Sequence, residues 1–304
     1  IAVGASRAFR LDIPGDDARG VHDQLGFLSA VRRGNPPDVG NSAVVIGGGN
    51  SAMDAVRTAR RLVPPTGRVS LLYRRSIDQM PADPEEIAAV QAENIEIIEL
   101  ANPDRIVVED GRVTGIQCHK MVLGEPDASG RPRPVAVDHS EFRIEADTVI
   151  SAIGQQVLIP FLKQSDMKVD PNTCHTRFAK VYAGGDAIRG ASTLIRAIAD
   201  GQKAARQIVF DAAVEHHTFE KMENDYAPEP DRIEPRLAVR DYGEMDTLPE
   251  TTVPGFDLET LPLTRKTAMA EAARCLSCDT ICNICTTVCP NRANYAYHVS
   301  PISM

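Results

Sequence analysis

Five of the seven cysteines in this 304-residue chain lie within 15 residues of one another. They are Cys275, Cys278, Cys282, Cys285 and Cys289, with the spacing C-x2-C-x3-C-x2-C-x3-C-P. Such crowding indicates either a metal site or a disulfide framework, and disulfide frameworks are typical of small secreted domains that lack a core. A chain of this length can bury a core, so we expect these cysteines to bind metal.

The spacing of the last cysteines favours an iron–sulfur cluster. Cys282, Cys285, Cys289 and the following proline match the end of the bacterial ferredoxin run C-x2-C-x2-C-x3-C-P, whose thiolates bind 4Fe-4S clusters. Cys278 lies one residue further upstream than that run requires. The cysteine before proline serves the other cluster in two-cluster ferredoxins, so Cys289 belongs to this cluster or to a second one. Structural zinc is the alternative, although it would leave a fifth cysteine over.

The other two cysteines, Cys118 and Cys174, are far from this run and from each other. A redox dithiol beside a flavin would need a second cysteine near Cys118, and none is there. We therefore predict that both are buried structural thiols.

A glycine-rich loop follows an apolar, strand-like segment and precedes a predicted helix. Gly47, Gly49 and Ala52 form the pattern G-x-G-x-x-A in the context that a dinucleotide-binding motif requires. Gly47 permits a tight turn, Gly49 lets the backbone approach a pyrophosphate, and Ala52 lets the helix pack closely on the strand. The helix start, which includes Asn50 and Ser51, would supply N–H donors to the phosphates. A glycine turn that binds nothing is the alternative.

Two arginines stand at the end of the next predicted strand. Arg74 and Arg75 directly follow Tyr73, at the point where an NAD-specific domain usually places an acidic residue for the ribose hydroxyls. Guanidinium groups suit a 2′-phosphate instead. The sequence therefore predicts NADPH rather than NADH, with two solvated arginines as the alternative.

The elements that position these residues alternate between strand and helix, which is typical of a parallel α/β sheet. Strands are predicted over 42–46, 69–73, 95–100, 142–144, 148–152 and 181–183, and helices over 51–62, 84–91, 192–210 and 267–276. Segments 106–109 and 113–121 flank Asp110-Gly111, which predicts a hairpin, and residues 126–134 predict a turn. Residues 226–262 are proline-rich and predict an extended arm.

The composition excludes several classes of protein. With a net charge of −9 and no tryptophan, the chain has neither the basic surface nor the stacking residues typical of nucleic-acid binding. No apolar run approaches the roughly 18 residues that span a bilayer. The length suggests about two domains.

The motifs together resemble the family of the NADPH-dependent glutamate synthase small subunit. Its relatives include the electron-input half of dihydropyrimidine dehydrogenase and NADP-linked ferredoxin oxidoreductases. With its cysteine run, the chain is most similar to the C-terminal part of the selenate reductase subunit branch. The resemblance is carried, in this order, by residues 2–5 with 13–17, 47–54, 73–75 with 80–82, 151–155, 183–186 and 271–278.

This resemblance implies an α/β fold of two interleaved Rossmann-like domains with a C-terminal iron–sulfur segment. Residues 37–136 would be an NADPH-binding domain inserted into an FAD-binding domain, of which 1–36 and 137–215 would be the later part. Residues 216–266 would form the arm or linker, and 267–304 the 4Fe-4S segment. The family's first glycine-rich loop would lie upstream of Ile1, so we expect the 304 residues alone to retain little FAD.

The resemblance also implies cofactor contacts outside the glycine-rich loop. Asp186, next to Gly185, would meet the ribityl chain of FAD, although an acidic residue in such a loop can equally be a turn residue or cap. Ser192 and Thr193 would start a helix whose N–H groups face the flavin N1–C2=O edge, where hydride arrival develops negative charge. Gly154 would line the cofactor site as well.

The function implied is that of a cytoplasmic, flavin-dependent oxidoreductase. Electrons would pass from NADPH through FAD to 4Fe-4S centres and on to a partner domain, subunit or ferredoxin-like carrier. The cofactors supply the chemistry, so no side chain is predicted as an acid–base catalyst. The direction of flow and the terminal acceptor stay open. The alternative is a structural or docking subunit that carries a cluster without a working flavin.

Overall fold

The computed structural model describes residues 1–126, 130–160, 162, 164–212, 255–256 and 264–273. Within these ranges the chain forms two compact units. One unit contains residues 6–156 and 255–256, and the other contains residues 1–5 together with the rest of the described chain from Val157 onward. The two units are described separately below.

A five-stranded parallel sheet forms the centre of the first unit, in the order β2-β9-β3-β4-β5. Its strands are β2 (Val21–Asp23), β3 (Ser42–Ile46), β4 (Arg68–Leu72), β5 (Glu96–Ile98) and β9 (Thr148–Ser151). Helices α1 (Gln24–Arg32), α2 (Asn50–Leu62) and α3 (Pro84–Ala92) connect consecutive strands, and the turn Ile77–Gln79 precedes α3. The order reverses between β3 and β9, which creates the crevice where α/β sheets bind ligands.

Both faces of this sheet are covered, so its strands alternate between two cores. Val45 and Leu71 pack with residues of α1 and α2 on one side, among them Phe27 and Met53. Val44, Ile46 and Leu72 face the other side, against the second sheet of the unit. A strand buried on both faces is apolar at every position, and this explains the run Ala43–Ile46.

The second sheet of this unit is antiparallel and consists of β6 (Ala101–Glu109), β7 (Arg112–Pro126) and β8 (Pro132–Glu145). The turn at Asp110-Gly111 confirms the predicted hairpin. Strand β8 is longer than predicted, because pairing with β7 draws residues from 132 onward into the sheet. A short antiparallel pair, β1 (Arg7–Ala8) with β10 (Gln155–Gln156), lies near the two ends of the unit.

The extent of the first unit differs from the predicted domain of residues 37–136. Strands β2 and β9 lie outside those limits, yet β9 pairs with β3 and β2 pairs with β9. The sheet is incomplete without them, so the compact unit runs from Ser6 to Gln156.

The other unit contains a short turn, Gln164–Met167, and helices α4 (Asp186–Arg189) and α5 (Leu194–Asp211). Ile159, Met167, Ala183 and Ala187 form a small core between them. The predicted strand over 181–183 is reduced to one bridge between His175 and Tyr182. Helix α6 (Arg265–Ala273) precedes the cysteine run, and none of the described helices is long and apolar enough to cross a membrane.

Candidate functional site

The glycine-rich loop joins the carboxyl end of β3 to the start of α2, beside the point where the strand order reverses. Gly47 has φ +152°, and a Cβ there would overlap the carbonyl oxygen of Ala152, which follows β9. A Cβ on Gly48 would overlap the ring of Tyr73. These two glycines are therefore required by the protein's own packing.

Gly49 differs from its two neighbours, because its surroundings do not require glycine. The nearest atom to a Cβ placed there would be Cγ of Pro81, at 4.0 Å, and the backbone is extended with φ −98°. Space is thus open directly in front of the helix. A dinucleotide's pyrophosphate needs this kind of space, because its oxygens must come within hydrogen-bond distance of the backbone.

The N-terminus of α2 suits an anion electrostatically. Its N-cap residue is Gly49, so no side chain caps the first N–H groups, and the first turn contains no acidic residue. The N–H groups of Ala52 and Met53 bond to the carbonyl of Gly49, whereas helix geometry leaves the preceding N–H groups, including those of Asn50 and Ser51, without intrahelical acceptors. Ala52 itself is fully buried against the sheet.

The side chain of Asn50 is used within the protein. Its Nδ2 donates to Asp83 Oδ2 at 2.8 Å, and its Oδ1 accepts from the backbone N–H of Asp83 at 2.8 Å. Asp83 is the N-cap of α3, so this reciprocal pair joins the starts of two helices. Asn50 can therefore offer a ligand its backbone N–H, while its side chain fixes the loop.

The two arginines after β4 have different environments. Arg74 is exposed, whereas Arg75 is 4% exposed and donates from Nε to the carbonyl of Pro132 at 2.8 Å. Arg75 therefore anchors the loop to β8, and of the two predicted residues Arg74 alone presents its guanidinium to solvent.

A pocket of about 470 Å³ lies at the carboxyl ends of β9 and β2, on the other side of the reversal point. Its lining includes Phe9, Arg10, His22, Asp23 and Ser151. Arg10 forms an ion pair with Asp16 at 2.8 Å. Burial lowers the pKa of His22 and outweighs the negative charge of Asp23, which raises it. This imidazole is therefore neutral at pH 7. The sequence did not reveal this pocket, since β2 is too short to be predicted.

Gly154 lies next to this pocket, after β9. Its φ of +114° is in the region that favours glycine, and its carbonyl accepts from the backbone N–H of Phe9 at 3.1 Å. Gln24, which is almost fully buried, also donates to this carbonyl, at 3.4 Å.

The second predicted motif lies in the other unit. Gly185 has φ +66° and precedes Asp186, the half-exposed first residue of α4. Thr193 is the N-cap of α5 and makes no side-chain cap bond. Ser192 Oγ is buried without a hydrogen-bond partner. A buried hydroxyl without a partner is costly, so this helix start is suited to a polar ligand group.

Leu194, at the first position of α5, is 76% exposed. The helix start thus combines an apolar surface with backbone donors, which is what a flavin ring and its carbonyl edge require.

The cysteines fall into two groups. The five of the predicted cluster, Cys275 to Cys289, lie outside the described residues. Cys118 and Cys174 are buried as predicted, and burial raises the pKa of the Cys118 thiol to about 12, with a further increase from Asp104. Within the described ranges, no group of three or more potential ligand side chains could hold a metal ion.

Comparison with known proteins assigns a family. The sequence profile described as pyridine nucleotide-disulphide oxidoreductase matches residues 1–205. The chain is 35% identical to the NADP(+)-dependent formate dehydrogenase subunit beta of Moorella thermoacetica, over 91% of this chain and 42% of that protein. It is 36% identical to the NADPH-Fe(3+) oxidoreductase subunit beta of Geobacter sulfurreducens, over 68% of this chain and 36% of that protein.

A protein of Cereibacter sphaeroides named as a glutamate synthase (NADPH) small chain is also 36% identical, over 69% of this chain and 54% of its own length. The chain therefore spans roughly a third to a half of these relatives.

Solved structures show the same fold. FprA, an oxidoreductase of Mycobacterium tuberculosis solved in complex with NADPH, matches with a TM-score of 0.57 and 19% identity, over 70% of this chain and 63% of that one. Thioredoxin reductase of T. acidophilum matches with a TM-score of 0.52 and 23% identity, over 70% and 65% of the two chains.

Proposed function

Because this chain belongs to the pyridine nucleotide-disulphide oxidoreductase family and has glutamate synthase small-chain relatives, we propose that it carries electrons from NADPH through FAD to 4Fe-4S centres. A partner domain or subunit then receives the electrons. The observation that carries the proposal is the open space at Gly49, in front of an uncapped helix at the reversal point of a parallel sheet.

The first unit binds the nucleotide across its carboxyl edge. The N–H groups at the start of α2 hold the pyrophosphate, with Asn50 and Asp83 keeping this turn in place. The adenosine half lies over β4, where the exposed guanidinium of Arg74 pairs with the 2′-phosphate. The pocket lined by Ser151 and His22, at the ends of β9 and β2, would hold the nicotinamide half.

The second unit holds part of the flavin. When bound, FAD supplies the two-electron acceptor for hydride and the one-electron donor for the clusters. Asp186 would accept from the ribityl hydroxyls, and the N–H groups at the start of α5 would stabilise negative charge on the ring. The unpartnered hydroxyl of Ser192 and the exposed apolar side chain of Leu194 support a flavin at this helix start.

The cysteine run would hold the cluster. Thiolates are the ligands that iron–sulfur clusters require, and the sequence supplies five of them at ferredoxin-like spacing. Clusters and free thiols of this kind are typical of a reducing compartment, which supports a cytoplasmic location.

Two relatives are named as beta subunits, of a formate dehydrogenase and of an iron(III) oxidoreductase. These names support a partner subunit that completes the reaction here as well.

Nucleotide choice tests the proposal through one residue. In the full-length protein, Arg74→Ala should weaken NADPH binding by about 1.5–3 kcal/mol, the value of a charged hydrogen bond, while NADH binding changes little. The binding of both nucleotides can be measured by isothermal titration. Arg75→Ala is the contrasting variant, because loss of a buried guanidinium should lower thermal stability and affect both nucleotides alike. Equal losses for the two nucleotides in Arg74→Ala would contradict the assignment.

Flavin content separates the proposal from a docking subunit that carries a cluster alone. The purified full-length protein should show the visible absorbance of an oxidised flavin, and anaerobic NADPH should bleach it. A protein with iron and sulfide but without flavin absorbance would favour the docking subunit.

A further inference from the structure

A buried carboxylate, Asp200, lies directly behind the Gly184-Gly185-Asp186 loop. It projects from the middle of α5, and its side chain is 5% exposed. Its Oδ2 accepts from the backbone N–H of Gly185 at 2.9 Å and from Arg189 Nη1. Its Oδ1 accepts from Arg189 Nη2 at 3.1 Å. One side chain therefore connects the loop, α4 and α5.

Asp200 also dictates the shape of this loop. A Cβ on Gly184 would lie 2.9 Å from Cβ of Asp200, so the close approach of the two segments requires glycine there. Gly185 has φ +66° and ψ −152°, a conformation that other residues rarely adopt. The bond from its N–H to Asp200 holds that conformation, and Asp186 follows immediately. The direction in which Asp186 is presented thus depends on Asp200.

The charges of this cluster are balanced. Burial raises the pKa of Asp200, but the hydrogen bonds from Arg189 and from the N–H of Gly185 outweigh it and hold the pKa below its ordinary value. The same contact raises the pKa of Arg189. Asp200 is therefore ionised at neutral pH. It forms a bidentate pair with the guanidinium of Arg189, the last residue of α4.

We propose that Asp200 is a positioning residue for the flavin cofactor. It fixes the Gly185–Asp186 peptide for contact with the ribityl chain, and it neutralises Arg189 so that the charge beside the flavin stays balanced. This inference rests on the proposed function, because it takes FAD as the ligand of the loop.

The test compares two variants of the full-length protein. Asp200→Asn keeps the size of the side chain but removes its charge and replaces one acceptor oxygen with a donor amide. Asp211→Asn is the matched control on the last residue of the same helix, where the carboxylate likewise makes three hydrogen bonds, with Tyr182, Gln207 and His175. The measurements are the FAD dissociation constant after removal and return of the flavin, the flavin midpoint potential and the melting temperature.

We expect Asp200→Asn to weaken FAD binding at least tenfold and to raise the flavin midpoint potential, because a negative charge is lost while Arg189 remains. Asp211→Asn should change the FAD affinity and the midpoint potential little, even if it lowers the melting temperature as much as Asp200→Asn does. Arg189→Gln offers a second variant should Asp200→Asn fold poorly. It keeps the bond to Gly185, so FAD binding should weaken less, whereas the midpoint potential should fall.

If the wild-type protein binds FAD and Asp200→Asn has the same FAD affinity and flavin midpoint potential, this inference is overturned and the proposed function stays intact. Equal effects in Asp200→Asn and Asp211→Asn would reduce Asp200 to a structural role and overturn it too. Full-length wild-type protein that binds no FAD would overturn the proposed function and this inference together.

Discussion

The three consecutive glycines of the loop differ in what would meet a side chain at each position. Gly47 and Gly48 approach atoms of the protein, whereas Gly49 faces open space. The sequence motif predicted the tight turn at Gly47, because the spacing of the pattern reflects a turn that many dinucleotide-binding proteins share, while the approach of a pyrophosphate to Gly49 stays a prediction. It could not predict the role of Gly48, which depends on the ring of Tyr73 from the next strand.

The difference between Gly49 and Gly47 leads to a prediction about binding. Gly49→Ala should lower the free energy of unfolding by at most about 1 kcal/mol, the usual cost of a poorer N-cap. It should weaken NADPH binding at least about tenfold, or 1.4 kcal/mol, because the methyl group fills the space of the pyrophosphate. Chemical denaturation and nucleotide titration measure the two quantities.

Gly47→Ala serves as the control for that experiment. Its methyl group would overlap the Ala152 carbonyl in a strained backbone conformation, so the loss of stability should be about 1–3 kcal/mol or more. Unchanged NADPH affinity in Gly49→Ala would show that no phosphate lies at this helix.

The buried thiol of Cys118 predicts a pH dependence of stability. Its pKa rises from 9.0 to about 12 in the folded protein, chiefly through burial. The folded state therefore keeps a proton that the unfolded chain releases, and stability declines as pH rises from about 9 to 12. Between pH 8 and pH 10, the free energy of unfolding should fall more steeply in the wild type than in Cys118→Val. Identical slopes would mean that this thiol titrates normally.

Among the elements, the β3-α2-β4 unit was predicted well because its signals are local. Strand β3 matches the predicted 42–46, and α2 begins one residue before the predicted helix. Strand β2, with three residues that include His22 and Asp23, has no such signal. It exists because it pairs with β9, more than a hundred residues away in sequence. Pairing of this kind overrides local propensity.

Asn50 and Asp83 predict a measurable coupling between α2 and α3. Each single alanine substitution should destabilise the protein by about 1–2 kcal/mol, because Asn50→Ala removes both hydrogen bonds and Asp83→Ala removes the bond between the two side chains. The double variant should lose less than the sum, with a coupling energy of about 0.5–3 kcal/mol. A double-mutant cycle by urea denaturation measures this term. Simple additivity would show that the two helix starts do not depend on each other.

At the scale of the whole molecule, the sequence predicted two nucleotide motifs but not where one unit ends and the other begins. The limits of residues 37–136 were implied by the family resemblance, whereas the compact unit also includes β2 and β9. Asp200 was missed for a similar reason. The sequence shows Asp200 only as a charged residue within an amphipathic helix. Its partners Gly185 and Arg189 become adjacent to it only through folding.

The cysteine run leads to a prediction for the whole electron path. In the full-length protein, Cys282→Ser or Cys285→Ser should remove most of the iron and abolish reduction of a one-electron acceptor. NADPH should still bleach the flavin, because that step precedes the clusters. Cys275 is the most dispensable of the five, since the ferredoxin-like run can be completed without it.

Iron, acid-labile sulfide and acceptor reduction should be measured for all five serine variants. Cys118→Ser, at a buried thiol remote from the run in sequence, is the control that should keep its iron. Zinc in place of iron, without sulfide, would identify a structural metal site instead.

The buried bond between Arg75 and the carbonyl of Pro132 has a consequence for the redesign of coenzyme preference. Arg74 and Arg75 are adjacent and could be replaced together, but buried Arg75 stabilises the fold. A redesign toward the cheaper coenzyme NADH should therefore place an acidic residue at position 74 and keep Arg75. In a library that randomises both positions, most variants would lack Arg75 and would therefore fold poorly.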